Sequence, residues 1–328
     1  MLDLFKKISR KLYYLIKRKQ GRFLFVHIPK TAGTSFRMSL DLSHRTLITD
    51  YGDGSRNTEK LIQEYVYDKT DSFSLKKSLL KLPSFWITGH VAVSKYIDIV
   101  DACNIVLFVR DPLEQVLSHY NHYHLSHGYD GTFEDFLNSK LGSNFQSGFV
   151  DYLPPELIGF VGITEQYDKS LDICENISGL ELKRFKKNVN TNKYITSQDL
   201  TESQISLFEL RNKEDRLLYE RTVRLHYQRL MHFSKNLKWT YYCISVDSLG
   251  NLSGCAYKSG CDVPVILSLI KDGETLCDVV ADQYFKCYPK ANFPRHRYIG
   301  FHFDLNGFSS SLEDVKVIVK DTGQELFL

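Results

Sequence analysis

Residues Ile105-Val106-Leu107-Phe108-Val109 form five apolar positions without a polar interruption, and Arg110-Asp111-Pro112 follow at once. A strand with one wet face alternates. An unbroken run of this length belongs to a strand buried on both faces, as in a parallel sheet covered by helices. Asp111 and Pro112 then supply an N-cap and a first-turn proline for a helix to about Leu125. The pattern recurs along the chain. An apolar run at 23–28 closes at Pro29 and a helix follows over 34–42. Residues 85–88 end in Gly89-His90, and 160–163 lead into a helix over 165–177. Residues 46–50 read as a further short strand, and 57–81 and 199–232 read as helical. Strands alternating with helices predict an α/β domain around a central parallel sheet.

The texture changes near residue 237. Short alternating runs at 241–246, 263–269, 275–280, 299–303 and 315–319 are separated by turn signals such as Lys271-Asp272-Gly273 and Asp321-Thr322-Gly323. Spaced short strands without helices predict a small all-β sandwich. The chain is therefore divided into 1–22, 23–236 and 237–328, with no internal repeat.

Composition excludes several classes. The net charge of the 328 residues is +3, too near neutral for a protein that coats nucleic acid. Hydrophobic residues at 43% and charged residues at 25% fit a folded chain rather than a disordered one. The seven cysteines include no C-x-x-C pair, which argues against a structural zinc site. Five of them, Cys243, Cys255, Cys261, Cys277 and Cys287, fall in the last third. They read either as a disulfide cluster or as small buried hydrophobes in a reduced compartment; the missing secretion signal favours the second.

Residues 1–22 carry eight basic residues and one acid, Asp3. Their longest apolar run, Leu12-Tyr13-Tyr14-Leu15-Ile16, is too short for a signal peptide or a membrane span. Leu4, Phe5, Ile8, Leu12, Leu15 and Ile16 recur at helical spacing between the cations. Such a segment lies on an anionic membrane surface or docks on its own domain as a lead-in helix. A cytoplasmic protein, with peripheral contact at the inner membrane face, is expected.

Two segments carry chemistry. In His27-Ile28-Pro29-Lys30-Thr31-Ala32-Gly33-Thr34-Ser35 a strand runs into a tight turn and a helix begins. Free amides at a helix N-terminus, its dipole and a lysine make an anion cradle, and Gly33 is expected to let the backbone approach the anion. The nucleoside triphosphate loop G-x-x-x-x-G-K-[ST] does not fit, because Lys30 precedes the glycine by three residues and the first glycine is missing. The second segment runs from Arg110 to Ser118. Arg110 lies at the end of a buried strand, where open α/β sheets bind ligands, and Ser118 is about two helical turns beyond Asp111. An arginine and a serine converging on one point suit a phosphate.

Together these residues resemble the PAPS-dependent sulfotransferases, in the carbohydrate branch that includes heparan sulfate 2-O-sulfotransferase and bacterial relatives. The first segment is similar to that family's 5′-phosphosulfate loop. Arg110 to Ser118, completed by Tyr120, is similar to its 3′-phosphate motif, with Gln115 where many relatives have arginine. Gly89-His90 is similar to the element that supplies the base in 2-O-sulfotransferases. Gly162-Ile163-Thr164-Glu165 and Asn188-Val189-Asn190 follow in the family order. The resemblance covers roughly residues 23–235. It implies a P-loop-like central sheet and transfer of a sulfuryl group from PAPS to a hydroxyl of a carbohydrate or glycoconjugate, with no metal. Lys30 would stabilise the leaving oxygen and the amides of Thr31, Ala32, Gly33, Thr34 and Ser35 would hold the 5′-phosphosulfate. Arg110 and Ser118 would hold the 3′-phosphate, and His90 would take the acceptor proton. A non-catalytic glycan-binding or assembly protein on the same scaffold is the alternative.

His119, His122, His124 and His127 stand close together with Tyr120, Tyr123 and Tyr129. They read as a metal site, an exposed helix face or, better than the first, a sugar-facing surface joined by Asn144 and Gln146. The β segment after 237 carries no chemical motif.

Overall fold

The computed structural model describes residues 21–41, 46–185, 193–248, 250–305 and 315–327. The basic segment 1–20 and the Asn188-Val189-Asn190 element lie outside these.

The first part of the chain alternates as its sequence predicts. Strand β1 (Arg22–Val26) leads through a tight loop into α1 (Gly33–Asp41). After β2 (Leu47–Asp50) come a helical stretch at 60–68, α2 (Ser72–Leu80) and β3 (Phe85–Gly89). Strand β4 (Ile105–Val109) enters α3 (Pro112–His127), followed by the short α4 (Phe133–Leu137). Strand β5 (Phe160–Ile163), α5 (Tyr167–Ser178), α6 (Glu202–Arg211) and α7 (Lys213–Ser234) complete this part. The stretch expected to be helical over 199–232 is broken at Asn212. Its buried side-chain amide donates to the carbonyls of Gly142 and Phe208 instead of continuing the helix.

The five strands form one parallel sheet in the order β2-β3-β1-β4-β5. Period-two alternation sends neighbouring side chains to opposite faces, and both faces are dry. Phe23, Phe25, Val106, Phe108 and Phe160 pack under α1 and α5 against Phe36, Leu40, Leu171 and Cys174. Leu24, Val26, Ile105, Leu107 and Val109 pack on the other face with Ile62, Leu75, Leu79 and Leu218. The unbroken apolar run at 105–109 thus reflects burial on two sides.

Helix α3 begins as its sequence dictates. Asp111 accepts from the Glu114 amide at 3.1 Å, Pro112 opens the first turn, and Gly128 ends the helix in the left-handed conformation.

After α7 the chain is all strand: β6 (Thr240–Val246), β7 (Leu252–Lys258), β8 (Ile266–Lys271), β9 (Glu274–Val280), β10 (Gln283–Tyr284), β11 (Tyr298–Phe303), β12 (Val315–Val319) and β13 (Glu325–Leu326). They make two antiparallel sheets, β10-β11-β7-β6 and β13-β12-β8-β9. One core joins them, through Tyr242, Leu252, Ala256 and Phe301 of the first and Leu267, Leu269, Val317 and Val319 of the second. Cys243 and Cys255 face each other across β6 and β7 with sulfurs 3.5 Å apart, and none of the seven cysteines is in a disulfide. Among the described residues no helix is long and apolar enough to cross a membrane.

Gly89 ends β3 with its Cα pressed on β2; a Cβ there would lie 1.6 Å from the Asp50 carbonyl oxygen. Backbone cannot yield as a side chain can. Gly89→Ala is expected to destabilise the protein by about 3 kcal/mol, read as a lowered urea midpoint at unchanged slope.

Candidate functional site

The three motifs emerge from the carboxyl ends of the three central strands, β3, β1 and β4, which are hydrogen-bonded side by side. Chain reversal in the order β2-β3-β1-β4-β5 occurs next to β1, so the crevice of an open α/β sheet falls at this edge. A hollow of about 550 Å³ on α2, lined by Phe73, Lys76, Lys77, Leu80 and Lys81, is elsewhere. It lies by the start of β1, where Arg22 donates to the Leu80 carbonyl.

The loop after β1 is held at several points. The His27 amide donates to the Gly89 carbonyl at 2.9 Å, and the buried Thr31 hydroxyl donates to the Ile28 carbonyl at 2.9 Å. Lys30 and Ala32 take left-handed backbone angles, φ 69° and 65°. Two such residues within three positions fold the loop into a concavity before the first-turn amides of α1, which have no intrahelical acceptor. There is no acidic residue in that first turn to occupy them. Gly33 has another role than expected. Its backbone is not left-handed, and a Cβ would lie 2.0 Å from Cδ2 of His27. The glycine makes room for the His27 ring.

Gln115 and Gln146 fix the two loops to each other. Gln115, fully buried on α3, donates from Nε2 to the Pro29 carbonyl at 3.1 Å. Gln115 thus ties α3 to the lysine loop through a neutral amide. Gln146 brackets the Arg110 backbone, accepting from its amide and donating to its carbonyl, both at 2.9 Å. Behind Gln146, the buried Asp215 of α7 accepts from the amides of Gln146 and Ser147 at 3.0 and 2.7 Å. Glu165 accepts from the Asp111 amide at 2.9 Å.

Lys30 and Arg110 are brought toward one another. Burial and the Arg110 charge hold the Lys30 ammonium below its ordinary pKa, and among the described residues no carboxylate pairs with it. Arg110 meets one acid, Glu114, at 3.1 Å on the first turn of α3. Ser118 is half-buried one turn beyond Gln115, and its hydroxyl has no hydrogen-bond partner among the described residues. Thr34 and Ser35 occupy the first turn of α1.

His90 opens to solvent at the mouth of the crevice, yet desolvation of its ring and the nearby Arg37 charge lower its pKa. Its ring lies edge-on to His27 at 4.8 Å and to Tyr51 at 4.9 Å. Burial is the main reason that the His119 pKa is lowered, and the charges of Lys30 and His90 act in the same direction.

Within the histidine-rich run on α3, His119 and Tyr120 are buried, whereas His122 and His124 are half-buried and His127 is exposed. His119 is 3% exposed, bonds through Nδ1 to the Leu141 carbonyl, and packs among Tyr123, Phe136 and Phe145. The Tyr120 hydroxyl is bound to the Gly131 carbonyl. Asn144 caps the start of α7, accepting from the Glu214 amide at 3.0 Å, and Gln146 is buried. These are packing and framing groups. Among the described residues no cluster of His, Cys, Asp or Glu is arranged to hold a metal ion.

A scan against protein-family models gives no match, and a search of curated proteins gives none either.

Three buried histidines give the protein a pH signature. Burial pushes His27 down to about 3, and His119 and His226 to about 4, all well below the ordinary 6.5. The unfolded chain then binds the extra protons. Their stabilisation is complete above about pH 6.5 and is lost as the pH falls toward the folded values, by about 1.4 kcal/mol per unit for each group. Urea midpoints are expected to fall from pH 7 to pH 5; a constant or rising midpoint contradicts this.

Proposed function

We propose that the protein is a sulfotransferase that moves a sulfuryl group from PAPS to a hydroxyl of a carbohydrate or glycoconjugate and releases PAP. The observation that carries this reading is the pair of cations at the carboxyl ends of neighbouring strands, Lys30 after β1 and Arg110 after β4, with the Arg110 charge bearing on Lys30 and the N-terminus of α1 following Lys30. A donor with a phosphosulfate at one end and a 3′-phosphate at the other matches two such sites. The non-standard lysine loop, which lacks the first glycine of a nucleoside triphosphate loop, favours this donor over ATP. The P-loop-like character of the sheet and a cytoplasmic setting, where PAPS is made, belong to the same reading.

The chemistry is an in-line displacement at sulfur. The acceptor oxygen forms the new S–O bond as the bond to the 5′-phosphate oxygen breaks. His90 takes the acceptor proton, and its lowered pKa keeps it unprotonated near neutrality. Lys30 and the first-turn amides of α1 meet the charge that develops on the leaving phosphate. Arg110 exchanges Glu114 for the 3′-phosphate, with Ser118 as a second donor.

Calorimetry with PAP tests the binding step. Arg110→Ala is expected to weaken PAP by about 10- to 150-fold, the worth of a charge-assisted contact of ~1.5–3 kcal/mol. Equal affinity in wild type and variant would sink the assignment. His90→Ala is expected to bind PAPS normally and to lose about 10²- to 10⁴-fold in kcat on a labelled-PAPS glycan panel. PAP binding with no transfer to any glycan that the protein binds would favour the non-catalytic alternative.

A further inference from the structure

A general base is ordinarily aimed by a hydrogen-bonded partner. Among the described residues His90 has none. What touches its imidazole is a pair of rings. His27 stands at the end of β1 and Tyr51 directly after β2, on either side of β3, which ends at Gly89 beside His90. The two rings meet His90 at 4.8 and 4.9 Å with interplanar angles of 74° and 75°. They are also joined to each other, with His27 Nδ1 2.9 Å from the Tyr51 hydroxyl.

We propose that His27 and Tyr51 are positioning residues that act as one unit, two hydrogen-bonded rings that hold the His90 imidazole by edge-to-face contact in place of a hydrogen bond. The inference rests on the reading of His90 as the base.

The unit is itself fixed from behind. Gly33 leaves space for the His27 ring that any other residue would fill. Tyr51 follows Asp50, a fully buried carboxylate that accepts from the hydroxyls of Tyr67 at 2.7 Å and Tyr96 at 2.6 Å and pairs with Lys95 at 2.7 Å. The start of the Tyr51 backbone is thereby pinned. A ring-to-ring contact has a chemical advantage for a base: it restricts orientation while leaving both imidazole nitrogens free for the acceptor and solvent. The charged and titratable groups that face His90 are Arg37 of α1, His119 of α3, His27 and Tyr51.

The test uses the full chain with ring-¹⁵N-labelled histidine. The His90 titration is followed by NMR beside the pH profile of kcat. Tyr51→Leu removes one ring and the hydroxyl. His27→Gln removes the other ring but keeps a partner for the Tyr51 hydroxyl, and it serves if the leucine variant does not fold. In each, the His90 midpoint is expected to rise toward 6.5 and the acid limb of the kcat profile to follow it. The plateau kcat should fall about 10- to 100-fold with the KM for PAPS unchanged. Tyr51→Phe restores the ring, so it should return the His90 midpoint and recover turnover relative to the leucine variant, while the His27 nitrogen shifts change. A wild-type His90 titration in both ring-deleting variants overturns the positioning role. Wild-type turnover by His90→Ala overturns the base assignment instead, and the two failures are read separately.

Discussion

Lys30 follows β1 and Arg110 follows β4, and these strands are hydrogen-bonded neighbours in the centre of the sheet. Burial first and the like charge of Arg110 second lower the Lys30 pKa, and both oppose folding with the ammonium charged. The surroundings hold the arrangement in place. Gln115 anchors the lysine loop, Gln146 brackets the arginine backbone, and Asp215 anchors Gln146. Two cations kept together against stability are the kind of local conflict that marks a candidate functional site.

The loop between them adds a second cost. Left-handed backbone at Lys30 and Ala32 is unfavourable for residues with a Cβ, by an amount on the order of 1–2 kcal/mol each. Glycine at either position would relieve that strain, and neither position has it. The bend is held instead by the Thr31 hydroxyl on the Ile28 carbonyl and the Gln115 amide on the Pro29 carbonyl. The concavity therefore exists before any ligand arrives, and binding need not order it.

Much of the α/β part was legible because its signals are local. The two-sided burial of 105–109, the Asp111-Pro112 helix start and the strand, turn and helix at 23–41 all depend on adjacent residues. What escaped was set by distant ones. Strand β7 was not recognised because Gly254, Cys255 and Ala256 have weak strand preference; Gly254 is needed there because a Cβ would lie 1.9 Å from the Cys243 carbonyl oxygen. His119 looked available on a polar helix face, but α4 and the Leu141 carbonyl cover it. Gln146 and Asp215 are 69 residues apart and show no motif. The candidate chemical residues stand in local sequence motifs, whereas the framing ones become visible only when the fold brings them together.

Helix α7 touches both halves of the molecule. Arg221 grips Glu156 with two hydrogen bonds, and Arg229 lies over Phe160 of the parallel sheet and over Trp239 and Tyr241 of the β part. Tyr241 in turn reaches the Gly159 carbonyl, and Gln228 reaches that of Glu325. Tyr257, Phe285 and Ile299 belong to the same apolar cluster as Leu24 and Leu107. A chain cut near residue 237 would leave Arg229 stripped of two aromatic neighbours and would wet that cluster. The strand-rich part is thus a structural wall of the α/β part, and heating should melt the two in one cooperative step, not as a catalytic unit with a detachable appendage.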